Sequence, residues 1–268
     1  MPGLEENLNA WDKSYEWTKA GNEWSAAWGG ADAQWFGSIL PRIHSFVPAR
    51  TILEIAPGHG RWTNYLRQLC KQLIAVDLAP NCINVCEERF ASDSHLRFYV
   101  NDGRTLPMVR DGEVDFVFSF DSLVHVEAEH LKSYLFELKR VMGPNAAAFL
   151  HHSNIGNYAR TFRFVKRLPR KLQDTLLSRG IIDETHWRAF SVTALRFQEW
   201  CAEAGLDCVR QELINWGGKR LIDCLSVLTP SAAAGTRQRI VLRNKNFMVE
   251  AEQCRLRNLS YSHPESAR

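Results

Sequence analysis

The chain has 268 residues, 45% hydrophobic and 24% charged, with 33 Lys and Arg against 30 Asp and Glu. That length buries one full core plus a smaller accessory segment, and a net charge of +3 demands no polyanionic partner, so nucleic acid is not expected. Seven scattered cysteines, no leader pattern and no run of eighteen apolar residues set the expectation of reduced thiols, a cytoplasmic protein and no membrane span.

Residues 1–50 carry Trp11, Trp17, Trp24, Trp28 and Trp35, with Tyr15 and Phe36 among them. The spacing of Trp17, Trp24, Trp28 and Trp35 sets the rings near one helical face, while Gly21, Gly29 and Gly30 break the run into two or three short helices. Such a face either packs on the rest of the molecule or closes over a cationic ligand as a lid, since aromatic faces attract cations.

From residue 51 strands and helices alternate. The predicted strands are Thr51–Ile55, Gln72–Val76, Leu96–Val100, Val114–Phe120 and Ala146–His151, each followed by a helical stretch, which implies a doubly wound, mostly parallel α/β sheet. In that architecture ligands sit beyond the carboxyl ends of the strands. Polar residues do follow each strand: the turn around Gly58 and Gly60, Asp77, Asn101-Asp102-Gly103, Asp121-Ser122, and His151-His152-Ser153-Asn154.

The first of these turns is the sharpest signal. In Leu53-Glu54-Ile55-Ala56-Pro57-Gly58-His59-Gly60 the two glycines allow a tight turn and close approach of the backbone to a ligand. A nicotinamide dinucleotide fingerprint wants a small residue where Thr63 stands, and no P-loop Lys and Ser/Thr follow, so pyrophosphate binding is disfavoured. Asp77, about twenty residues on at a strand end, suits two vicinal ribose hydroxyls; the competing role is a cap for the helix starting near Pro80. Asp102 suits an adenine amino group, against an ordinary Asn-Asp-Gly turn, and Glu54 either orders the glycine turn or meets a ligand ammonium.

These elements, over roughly residues 51–230, resemble the class I S-adenosylmethionine-dependent methyltransferases: the glycine motif at 53–60, the acid Asp77, the acid Asp102 and the fourth motif Asp115-Phe116-Val117-Phe118-Ser119-Phe120 stand in order. The resemblance implies a seven-stranded sheet. Its last two strands fall at Leu206–Val209 and, antiparallel, Leu221–Leu228, after a helix from Ser191 to Ala204 that Gly205 stops. It implies S-adenosyl-L-methionine as cofactor, held by Glu54, Ala56, Pro57, Gly58, Gly60, Trp62, Asp77, Leu78, Asp102, Gly103, Phe120 and Asp121, with Trp28 reaching in from the N-terminal helices.

Sugar O-methyltransferases of natural-product pathways look similar, which implies a hydroxyl acceptor on a polar small molecule or glycan and a histidine base. His125 is the first candidate, against a structural histidine; an N-methyltransferase of an amine and a non-catalytic cofactor-binding protein are the alternatives. His151 and His152 must point to opposite faces of their strand, and His152 is assigned to the site. Asp121 pairs with a histidine or binds a cation, but separated acidic metal ligands are lacking, and Cys82 and Cys86 lack a second ligand pair, so no metal is expected.

Residues 154–190 form an insertion on the acceptor side. Arg160, Arg163, Lys166, Arg167, Arg170 and Lys171 crowd it without an acid among them, as a solvated face, a site for an anionic acceptor, or an RNA contact. Trp187, Phe190 and Trp216 are either a stacking platform or core. Beyond Pro230, residues 231–235 read as a linker into an extension over 231–268, where Ile240-Val241-Leu242 and Phe247-Met248 could dock on the domain or on a second copy of the chain.

Overall fold

The computed structural model describes residues 3–231 and 239–261. Eight strands form one sheet: β1 (Ala49–Ile55), β2 (Cys70–Asp77), β3 (Leu96–Val100), β4 (Val114–Ser119), β5 (Met142–Ser153), β6 (Leu206–Ile214), β7 (Asp223–Pro230) and β8 (Ile240–Asn244). Their order is β3-β2-β1-β4-β5-β7-β6-β8. Strands β1 to β5 run parallel, β7 is antiparallel to both neighbours, and β8 lies parallel to β6. The expected seven strands become eight because Ile240–Asn244, read as tail, adds to the β6 edge. The last parallel strand also runs two residues beyond His151, to Ser153, and the antiparallel one starts at Asp223 instead of Leu221.

The central strands are buried on both faces, which is why they read as continuous apolar runs rather than as alternation. Alternate residues feed two cores. Leu53, Ile55, Ile74, Val76 and Val117 pack with Leu131, Leu135 and Leu138 of the helix Ala128–Val141 and Phe197 and Cys201 of the helix Ala194–Glu203. The latter helix is capped by the Thr193 hydroxyl and ends before Gly205, whose φ of +78° suits glycine.

The opposite face carries Ile52, Leu73, Ala75, Phe116, Phe118 and Phe149 against the tryptophan-rich segment. There the chain makes short helical pieces at Leu4–Asn9, Ala10–Ser14 and Asn22–Trp28, then an unbroken run from Ala31 to Ile43 whose middle, Trp35–Ile39, is a wider π-type turn. Gly21, Gly29 and Gly30 adopt positive φ at the breaks, as the sequence predicts. Trp28, Trp35, Ile39 and Ile43 are buried, and the helix Phe247–Tyr261 closes over them with Phe247, Ala251 and Cys254. A polar node ties these pieces together: Arg42 donates to both carboxylate oxygens of Glu212 on β6 (2.8 and 2.7 Å) and to Glu250, and Asn244 donates to both acids.

The docking foreseen for 240–242 and 247–248 is thus onto the chain's own sheet and core. The linker over 232–235 and the stretch 265–268 lie outside the described residues. All seven cysteines are free, and among the described residues no helix is long and apolar enough to cross a membrane.

Phe247 is fully buried, edge-on to Trp28 (5.8 Å between ring centroids), stacked with Trp216 (6.0 Å) and covered by the Arg42 guanidinium. Its replacement by alanine is expected to cost about 3–5 kcal/mol of stability, read from urea denaturation; a loss below about 1 kcal/mol would mean that the helix is not docked as described.

Candidate active site

The chain builds β1, β2 and β3 outward in one direction and then returns to lay β4 on the free side of β1. The crevice beyond the carboxyl ends of β1 and β4 is therefore the place for a ligand. Both exits are bent sharply: Ala56 has φ +58° and Asp121 φ +67°, left-handed conformations that cost a non-glycine residue free energy and cluster at functional sites. The Ser122 hydroxyl donates to Ala56 O (3.0 Å) and the Ser119 hydroxyl to Ile55 O (2.9 Å), so the two exits brace each other.

A first cavity, with about 930 Å³ of space free of protein atoms and open to solvent, fills this crevice. Its floor is Ile55, Ala56, Pro57, Gly58, Val76, Asp77 and Leu78; Gly103, Tyr134, Cys82 and Leu4 wall one end, and Arg61, Trp62, Phe120, Asp121 and Trp17 the other. A side chain at Gly58 would bring its Cβ to 2.7 Å from Trp17, and one at Gly103 to 2.6 Å from Leu4, so at both positions the backbone itself forms the cavity surface. Gly60 serves differently: its Cβ would meet the Phe90 ring at 2.5 Å, so it permits packing beneath the turn.

Asp77 is buried, and burial raises its pKa to about 6 against the backbone bonds it accepts from Ala79 (2.9 Å) and Gly58 (3.1 Å). It thus holds Ala79, the residue before the following helix, and pins the glycine turn at once. The carboxylate keeps acceptor capacity for a ligand beyond these bonds. Glu54 stays beneath the turn: Thr63 donates to it at 2.6 Å, and it does not line the cavity. Of its two expected roles, ordering the turn is the one the geometry supports.

Three expectations need correction. The Asp102 carboxylate is exposed and accepts from Arg104 N, Thr105 N and the Thr105 hydroxyl (2.7–2.9 Å), the ordinary turn, so it lies outside the cavity and only Gly103 of that loop reaches in. Trp28 is core, packed on Trp216 and Phe247; of the tryptophans in residues 1–50, those that reach the cavity are Trp11, Trp17 and Trp24.

The third concerns the histidine pair, neither of which lines a cavity. His152 shares the face of Ala148 and Leu150, where it stacks on Phe197 (3.8 Å) and binds Ser153 O and the Ser226 hydroxyl, burial lowering its pKa to about 3. His151 shares the face of Ala147 and Phe149, lies 4.7 Å from the Phe120 ring, and accepts the Asp121 N–H at Nδ1 (3.1 Å). A period of two fixes that they diverge, and the packing decides which lies on the side of Asp121 and Trp216.

A second cavity opens beside the first, lined by Trp11, Trp24, Asp121, His125, His186, Trp187, Arg188 and Trp216. Asp121, His125, Trp11 and Trp24 line both. His125 is buried; its Nδ1 lies 3.1 Å from Trp187 O, which can only accept, so Nδ1 carries the proton and Nε2 the lone pair. Burial, then the nearby Arg188 charge, lowers its pKa to about 4, which leaves the ring neutral at physiological pH. The segment bearing it is clasped by the end of the insertion, where Ala189 donates to Val124 O (2.9 Å) and His186 and Trp187 both have positive φ. Around the second cavity runs a buried charge network: Arg61 to Asp121 (3.1 Å), Arg188 to Asp121 (3.9 Å), and Arg188 to both oxygens of Asp223. Burial alone would raise the Asp223 pKa, but the Arg188 charge holds it well below the usual carboxylate range. Sequence reasoning missed Arg61, Arg188 and Asp223; their one signal was charge set in apolar surroundings.

Among the described residues no cluster of His, Cys, Asp or Glu is arranged to hold a metal ion.

Burial, with a smaller contribution from Asp77, raises the Glu54 pKa to about 8 against the Thr63 bond. The folded protein then holds a proton that the unfolded chain has released once pH exceeds the ordinary carboxylate value of about 4.3, so stability falls as pH climbs from there toward 8. Glu54→Gln is expected to flatten that fall in urea midpoints; an unchanged slope would place the proton elsewhere.

Residues 52–145 match the methyltransferase domain family. The fold is similar to that of the PH0226 protein of Pyrococcus horikoshii, with a TM-score of 0.52 and 20% identity over 76% of this chain and 95% of that one. It is likewise similar to a methyltransferase of Methanosarcina mazei that uses S-adenosylmethionine, with a TM-score of 0.53 and 18% identity over 71% and 97%. No curated protein matches the sequence. The domain match over 52–145, the fold and the glycine turn agree with one another and together support an S-adenosylmethionine-dependent methyltransferase.

Proposed function

We propose that the protein methylates a hydroxyl of a sugar or another polar small molecule, with His125 as general base. The observation that carries this reading is the meeting of the two cavities at Asp121 and His125. A donor in the first cavity and an acceptor in the second would face each other there, and placement alone can lower the barrier by several kcal/mol, about 7–11 in the best cases.

The first cavity fits the donor by its chemistry. Trp62 Nε1 and Glu127 Oε1 are buried on its wall without a hydrogen-bond partner, and Asp77 keeps acceptor capacity beside an apolar slot of Leu4, Leu78, Cys82 and Gly103. In this reading Asp77 takes the ribose hydroxyls, the slot takes adenine without Asp102, and the Gly58 turn with Arg61 takes the methionyl end. Trp11 and Trp24 offer ring faces to a cation where the cavities join. When bound, S-adenosylmethionine supplies an electrophilic methyl carried on a sulfonium.

The second cavity supports a sugar-like acceptor. Indole faces of Trp187 and Trp216 suit the C–H faces of a ring, while Asp121, His186 and Arg188 can bond its hydroxyls. His125 is neutral and has one basic nitrogen, the form a base needs before it takes a proton from a hydroxyl.

Two measurements test the assignments. Asp77→Asn is expected to raise the donor dissociation constant about tenfold or more, because each charge-assisted bond contributes roughly 1.5–3 kcal/mol; unchanged affinity in a donor titration would remove Asp77 from the ribose site. His125→Ala is expected to lower kcat about 10²- to 10⁴-fold with donor affinity kept, and an undiminished kcat with a responsive acceptor would remove the base.

A further inference from the structure

The insertion carries a surface that the transfer reaction does not use. Residues 160–179 hold seven Lys and Arg against the single acid Asp174, an excess larger than the whole chain's net charge of +3, so the remainder of the protein is net acidic. Arg160, Arg163, Lys166, Arg167, Arg170 and Lys171 are all exposed, and none makes an ion pair or a side-chain hydrogen bond. Only Lys166 has an ordered contact, with its ammonium 5.6 Å from the Phe190 ring centroid.

Large apolar side chains lie among these cations and are left uncovered. Phe164 is 65% exposed, Ile181 54% and Leu172 43%. The helix Arg170–Ser178 buries none of its nine residues although it carries Leu172, Leu176 and Leu177. Leu172 and Leu176 stand four apart, on one side of that helix. A merely solvated face has no use for them, and contact with RNA phosphates needs polar donors rather than exposed aliphatics. Basic residues interleaved with an unburied apolar stripe match the boundary between the headgroups and acyl chains of an acidic bilayer, which offers a partner to each.

We propose that the helical insertion docks the protein on anionic lipid bilayers, with the cations over the headgroups and Phe164, Leu172 and Ile181 entering the acyl boundary. The same insertion runs on into His186, Trp187 and Arg188, which wall the second cavity, so docking sets that cavity beside the membrane surface. The docking stands independently of the acceptor chemistry proposed above.

The test is co-sedimentation of the full chain with vesicles of phosphatidylcholine, with or without about one-third phosphatidylglycerol, in the absence of donor and acceptor. Binding is expected only to the anionic vesicles and is expected to weaken with salt. Arg163→Gln and Arg167→Gln should each lower partitioning about fivefold, and Phe164→Ser about tenfold or more at unchanged net charge. All three residues are exposed and outside both cavities, so far-ultraviolet circular dichroism of the variants should match the parent. No binding, equal binding to both vesicle types, or undiminished binding by Phe164→Ser would overturn the proposal. So would binding of a single-stranded RNA oligomer in preference to anionic vesicles. Because the assay reads no methyl transfer, its failure leaves the role of His125 untouched.

Discussion

The buried alternation of Arg61, Asp121, Arg188 and Asp223 is the constraint on which the site depends. Four ions held out of water are tolerable only as a set, because removing one partner strands a buried charge at about 3–5 kcal/mol, whereas the intact pairs roughly offset their own desolvation. Each ion comes from a different part of the chain: Arg61 from the glycine turn, Asp121 from the exit of β4, Arg188 from the end of the insertion and Asp223 from the start of β7. Charge neutrality in the interior therefore demands that four separate segments meet. The two cavities are the space left around that meeting, with the Arg188 and Arg61 guanidiniums shielded by the Trp216, Trp24 and Trp62 rings.

How much of this could be read in advance follows from the range of the interactions involved. The glycine turn, Asp77 and the strands are local patterns with fixed spacing and appear where expected, but the helical stretch expected between β3 and β4 is a run of turns instead. Asp102 misled because two neighbouring polar residues compete for one loop: Asn101 turns inward to the Tyr134 hydroxyl (2.7 Å) and its neighbour outward. The choice between His151 and His152 needed the identity of the two sheet faces, which depends on Trp216 and Phe197 far along the chain. β8 was hidden because three exposed apolar residues at a sheet edge carry no period that separates strand from tail.

The aromatic segment shows that packing and covering are not exclusive. Its later tryptophans, Trp28 and Trp35, are core, while Trp11, Trp17 and Trp24 form a cluster above the crevice in which Trp17 stacks on His59 at 4.1 Å. The change from one use to the other falls between Trp24 and Trp28, within the single helical piece Asn22–Trp28. Asn7, near the start of the cover, donates to His125 O (3.1 Å), so the cover also fixes the backbone of the proposed base.

Phe247 rests on Trp28, and Arg42 on Glu212 and Glu250, contacts that span some two hundred residues of chain. Closing loops of that size is entropically unfavourable and is not rewarded until both partners are presented on a formed surface. The neighbouring strands β1, β2 and β3, which follow one another closely, supply that surface. The contacts between segments 22–43 and 240–261 are therefore expected to form after those within the sheet.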